Sequence, residues 1–96
     1  MRLEMTRGML FVFDTDDCYA FWMKNMNFPI DILWLDGGMG VVDIATAEPC
    51  TDNCLSYVPD HPARYVLEVP AGFAAAHGIS TGSILSTNVW RGTRTP

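Results

Sequence analysis

Residues 30–45 read IDILWLDGGMGVVDIA, and this stretch decides the fold. Ile30, Ile32 and Trp34 alternate with Asp31, Leu33 and Leu35. That period of two puts successive side chains on opposite faces of a strand. Asp36-Gly37-Gly38-Met39-Gly40 comes next, where glycines accept the positive φ of a tight turn. Val41–Ala45 is therefore predicted to return antiparallel, completing a hairpin.

Outward from the hairpin, the chain continues in short strand-like pieces. Met9–Phe13 is an apolar run with aromatic and β-branched content, which predicts a strand. Asp14–Asp17 is a turn cluster. Tyr19–Met23 predicts a second strand, broken at Asn25-Met26-Asn27. Pro29 suits the start of the next strand, where a missing N–H matters least. Thr46–Ala63 is a long loop punctuated by Pro49, Pro59 and Pro62. Arg64–Val69 is another strand, with Tyr65, Leu67 and Val69 alternating. Pro70 opens a short helix over Ala71–His77, and Gly78 fits a left-handed cap. Thr81-Gly82-Ser83 turns the chain into a last strand, Ile84–Trp90. Residues 1–90 are expected to form a single β domain and residues 91–96 a polar C-terminal tail. Six short strands and one helix, without a strand–helix rhythm, point to a mainly-β fold: a β-sandwich or partly open barrel.

Composition narrows the function classes. The chain has 96 residues, room for one domain with a modest core. It is 49% hydrophobic and 18% charged, the balance of a folded globule. Its net charge of −5 and the lack of a basic stripe exclude nucleic acid and an anionic membrane surface as expected partners. No apolar run approaches the ~20 residues of a membrane span. The first residues are too polar for a signal peptide, so the chain as written reads as cytoplasmic. A signal segment missing from this chain would make it exported.

Several segments together resemble a known family. They are Gly8-Met9-Leu10-Phe11, Phe21-Trp22-Met23-Lys24-Asn25 and Pro29-Ile30-Asp31-Ile32. Pro49-Cys50 follows, with Cys54 and Tyr57, then Ala63–Val69, Ala71-Gly72-Phe73, His77-Gly78-Ile79 and Gly82. In this order they resemble domain-of-unknown-function family 192 over residues 8–86. The resemblance implies a compact jelly-roll-like β-sandwich from a bacterial and archaeal family with no established biochemical function. Members of that family carry a strand and a helix ahead of the Gly8 segment, where this chain has few residues. The expectation is an unpaired sheet edge and a homodimer formed across it. A chain shortened at its start is the alternative.

Six polar residues are candidates for a ligand site: Lys24, Asn25, Asp31, Tyr57, Arg64 and Glu68. Lys24 and Asp31 flank a turn beside aromatic residues. An ammonium and a carboxylate there would suit a zwitterionic or hydroxylated small molecule, or acid–base chemistry. The structural alternative has Asp31 tying down a loop through backbone amides. Arg64 and Glu68 share a strand face, so they either join that cluster or form a surface pair worth under ~1 kcal/mol. Asp31 and Glu68 can also be read as a glycosidase-like carboxylate pair. Trp22, Trp34, Tyr19 and Phe21 are either an aromatic platform or core.

Cys50 and Cys54 leave three readings open: a small disulfide ring, two metal ligands with His61 or His77, or free thiols. No second cysteine knuckle supports the metal, and no metal or other cofactor is expected. The Cys-x-x-Cys spacing of redox catalysts is missing. His77 suits a helix C-terminus without catalysis. No nucleophile elbow, phosphate loop or dinucleotide fingerprint is present. These features favour a ligand-binding or protein-interaction module. An enzyme using Lys24, Asp31 and Glu68 is the rival, and a purely structural or oligomerisation domain comes third.

Overall fold

The computed structural model describes residues 8–23 and 28–85 and the backbone of 93–94. The strands are β1 (Met9–Asp17), β2 (Phe21–Trp22), β3 (Ile30–Leu35), β4 (Val41–Ala47), β5 (Ser56–Tyr57) and β6 (Ala63–Pro70). The short helix α1 (Phe73–Ala76) follows, and β7 (Thr93–Arg94) comes last. One sheet has the order β4-β3-β6-β1-β7; β2 and β5 form a second, two-stranded sheet. All pairings are antiparallel except β1 with β7, where Leu10 and Phe11 lie beside Thr93 and Arg94. The chain is mainly β with one short helix, as its sequence predicts, and the sheets do not close into a barrel.

The hairpin forms where its sequence predicts, but the positive φ of the turn falls on Met39, at 66°, and not on Gly37, Gly38 or Gly40. Asp36 organises the turn by accepting the Gly38 and Gly40 amides on Oδ1, both at 2.9 Å. Every residue of β3 is buried. Its two faces feed two separate cores. Leu33 and Leu35 pack with Leu10, Val41, Leu67, Val69, Ala74 and Ile79. Ile30, Ile32 and Trp34 pack with Met23, Ala47, Ala63 and Val66. The helix side, with Phe73 and Leu85, covers the first face. The small sheet, through Phe21 and Tyr57, covers the second. Removing each large β3 side chain from water contributes ~1.5–3 kcal/mol, so this strand anchors both layers.

Five expectations change. Asp14–Asp17 is not a turn but the far end of β1; the register jumps between Val12, opposite Tyr65, and Asp17, opposite Ala63. An irregularity of this kind lets turn-prone residues stay in a strand. Tyr19–Met23 contributes only Phe21–Trp22 as strand, and Ser56–Tyr57 makes a strand inside the long loop. The helix is shorter than Ala71–His77 because Ala71 and Gly72 form a turn, with Gly72 at φ 90°. Of Ile84–Trp90, Ile84 bridges Gly40, while residues 86–90 lie outside the described residues.

The helix ends as predicted. Gly78 adopts φ 66°. The Ile79 amide donates to the Ala74 carbonyl and the Gly78 amide to that of Ala75, so the last carbonyls are satisfied. Ile79 and Ala74 then meet in the first core.

Candidate functional site

Strand register decides which candidate residues can meet. In the β3–β6 pairing Asp31 lies opposite Val69, while Glu68 lies opposite Ile32. Val69 belongs to the first core and Ile32 to the second. Asp31 and Glu68 therefore project from opposite faces of the main sheet. A glycosidase-like pair, and a single cluster of all six candidates, do not form. Lys24 and Asn25 lie outside the described residues.

Asp31 is 3% exposed and fully engaged. Its Oδ1 accepts the Thr46 hydroxyl at 2.8 Å. Its Oδ2 accepts the Gly72 amide at 3.1 Å and the Ala74 amide at 3.0 Å. The first amides of a helix have no partner within it. Gly72, at the capping position, has no side chain to serve them. Asp31 supplies that oxygen from the neighbouring strand and so bolts the helix to the sheet. This is the structural alternative for Asp31 in a specific form.

The other face carries Glu68, Arg64 and Tyr57. Glu68 is half-buried, with Met9 and Ile32 beside it in the flanking strands. Burial raises its pKa above the ordinary value. No described residue hydrogen-bonds its carboxyl group. Arg64 pairs not with Glu68 but with Asp16, Nε to Oδ1 at 2.7 Å, on an open surface. Tyr57 packs against the second core, and its hydroxyl accepts the Glu48 amide at 3.3 Å.

The aromatic candidates divide. Trp34 is 1% exposed and donates its indole N–H to the Tyr19 carbonyl at 2.8 Å. Phe21 and Tyr19 pack against the same core, and Tyr19 stacks on Phe13. Trp22 faces solvent. Cys50 and Cys54 are joined by a disulfide, with Cα atoms 5.6 Å apart, and Cys18 is a free, exposed thiol. His61 is exposed, and the His77 ring leans on Phe73 at 4.2 Å. No group of three His, Cys, Asp or Glu side chains suited to a metal occurs among the described residues.

Residues 1–87 match the model of the DUF192 family, described as an uncharacterized ACR. The chain belongs to this family. Among DUF192 relatives, a UPF0127 protein of Thermococcus gammatolerans is 37% identical over 60 residues, covering 62% of this chain and 37% of that protein. A UPF0127 protein of Pyrococcus furiosus is 33% identical over 63 residues, covering 66% and 51%. The chain thus spans about half or less of these curated relatives. Two crystal structures share the fold. One, from Sinorhizobium meliloti, is called a "putative transcription regulator"; it superposes with TM-score 0.69 at 30% identity, covering 84% of this chain and 62% of that one. The other is a protein of unknown function from Novosphingobium aromaticivorans, with TM-score 0.68, 34% identity and coverages of 84% and 57%.

Two partners were not foreseen from the sequence. Asp16 sits in the run read as a turn, so nothing marked it as the ion-pair partner of Arg64. Thr46 lies opposite Asp31 in the hairpin. Counting residues back from the turn would have found it, once the register shift between Trp34 and Leu35 was known.

Proposed function

We propose that this DUF192 domain is a non-catalytic binding module whose ligand contacts the sheet face bearing Glu68, with Arg64 and Tyr57 on the same side. One observation carries the reading: Glu68 is half-buried in a central strand, is pushed toward its neutral form by burial, and has no donor among the described residues. Buried polar groups in folded proteins nearly always have partners, so a carboxyl group without one calls for a donor from outside. A hydroxyl- or amine-bearing small molecule supplies that donor. Lys24 and Asn25 belong to the proposed site by sequence alone. Asp31 does not, since its oxygens already serve the helix and Thr46. The acid–base reading loses support for the same reason: its two carboxylates stand on opposite faces.

The test is a thermal-shift screen of sugars, nucleotides, amino acids and metal ions on the wild type and on Glu68→Gln. The expected result is at least one stabilising compound whose shift shrinks in the variant. A flat screen, or shifts indifferent to the substitution, would refute the reading.

A further inference from the structure

We infer that the Cys50–Cys54 disulfide is a thiol-exchange site, and that its reduction releases β5 from the small sheet. Both cysteines are half-buried rather than enclosed, and Thr51, Asp52 and Asn53 between them are exposed. Leu55, next along the chain, is 81% exposed. A thiolate can therefore approach the bond from solvent, and exposed disulfides are the ones that exchange readily. The pair lacks the features that make a cysteine an attacking nucleophile. Its role is that of acceptor, and its partner is a dithiol reductant.

The chemistry balances in two steps. One thiolate of the dithiol attacks a sulfur of the pair. A mixed disulfide forms, and the other cysteine leaves as a thiolate that takes a proton. The second thiol of the dithiol, after losing its proton, attacks its own sulfur in the mixed disulfide and expels the remaining cysteine, which is protonated in turn. Two electrons and two protons move from the dithiol to Cys50 and Cys54, and the dithiol becomes a disulfide.

Local geometry makes the bridge consequential. The ring lies between Ala47, fully buried at the end of β4, and β5. β5 has only two residues, and its ladder with β2 consists of Phe21 opposite Tyr57 and Trp22 opposite Ser56. A two-stranded ladder so short does not hold by itself. Besides that ladder and the packing of Tyr57, the ties on the segment seen among the described residues include the disulfide and the Tyr57 hydroxyl bonded to the Glu48 amide. Within the ring Asn53 sits at φ 55°, a left-handed conformation that asparagine adopts more readily than most residues. Opening the bridge removes the tie closest to β5. Tyr57 and Phe21 then lose their seat on the second core, next to surface where Trp22, Leu55 and Val58 are already exposed.

The full chain, oxidised or treated with dithiothreitol under native conditions, is alkylated and weighed, then followed by amide hydrogen exchange. Cys18 is an internal standard, always modified once, so the chain carries one modification when oxidised and three when reduced. On reduction, exchange in β2 and β5 is expected to speed up at least tenfold while β3 and β6 are unchanged. Cys50→Ser/Cys54→Ser should reproduce the reduced pattern without reductant. Any of three results would overturn the inference: a bond that survives dithiothreitol in the folded chain, unchanged exchange in β5 after reduction, or equal loss of protection in β3, which would make the bridge a global staple. None depends on whether Glu68 binds a ligand.

Discussion

Replacing Asp31 separates an anchor from a ligand group. Asp31→Ala strands three donors: the Ala74 amide, which is buried, and the Gly72 amide and Thr46 hydroxyl, which are partly exposed. An unpaired buried amide costs ~2 kcal/mol, and two partners that recover water cost ~0.5 kcal/mol each. The sum is about 3 kcal/mol, and relief from desolvating the carboxylate brings it toward ~2–3 kcal/mol. Asp31→Asn retains one carbonyl oxygen for the helix amides and turns its NH2 toward the Thr46 oxygen, so it should lose only ~1 kcal/mol. In a domain of this size each kcal/mol moves Tm by ~4–8 °C. Calorimetric melts should place the alanine variant roughly 8–24 °C below wild type and the asparagine variant about 4–8 °C below. Hydrogen exchange should show the Ala74 amide as the first to lose protection. A carboxylate held in readiness for a ligand behaves the other way, since removing it relieves stored cost. An alanine variant melting at or above the wild-type temperature, or an asparagine variant as damaged as the alanine one, would refute the anchor.

Other expectations follow from the same geometry. Burial raises the folded-state pKa of Glu68, so its contribution is most favourable below the ordinary value of 4.5 and declines as pH rises through the folded-state value. Melts of Glu68→Gln should accordingly match wild type in acid and run higher at neutral pH; equal melting at both would contradict the burial argument. Asp16→Ala and Arg64→Ala should each cost under ~1 kcal/mol, and their double-mutant cycle should give a coupling below ~1 kcal/mol that fades with added salt, because both side chains are well exposed. Gly78→Ala meets no neighbouring atom within 4 Å but must adopt φ 66°, so chemical denaturation should show a loss of ~1–2 kcal/mol with an unchanged m-value.

The legible parts of the sequence were those with a local signal. β3 matches its predicted span because alternation and burial agree along all six of its residues. Gly78 was readable because its backbone conformation restricts the residue choice; the Asp36–Gly40 turn was legible in position, but its left-handed residue is Met39 rather than a glycine. The ladder of β2 and β5 was not readable, since two residues carry no period. The six candidate residues divide at one specific point. Parity along each strand was correct: Asp31 shares a face with Leu33 and Leu35, and Arg64 shares one with Glu68. The offset between β3 and β6 is fixed by contacts distant in the chain, and it sets Asp31 against Val69 rather than Glu68. For Asp31 the sequence leaves a ligand role and a loop-tying role open, and its actual partner, the start of a helix more than forty positions away, has no local signature.

The sheet order also sets a timetable. β6 is the middle strand, yet the chain makes it after β1, β3 and β4. Of the main-sheet pairings described, only the β3–β4 hairpin joins consecutive strands, and it can form in ~1–10 μs. β1 and β3 have no ladder between them; each waits for the same later strand, Met9 and Ile32 both meeting Glu68. On a ribosome adding ~5–20 residues per second, the nascent chain therefore spends seconds with two apolar strands facing an empty slot. Assembly is a keystone event, and the interval before β6 emerges is when this small domain is most exposed to mispairing.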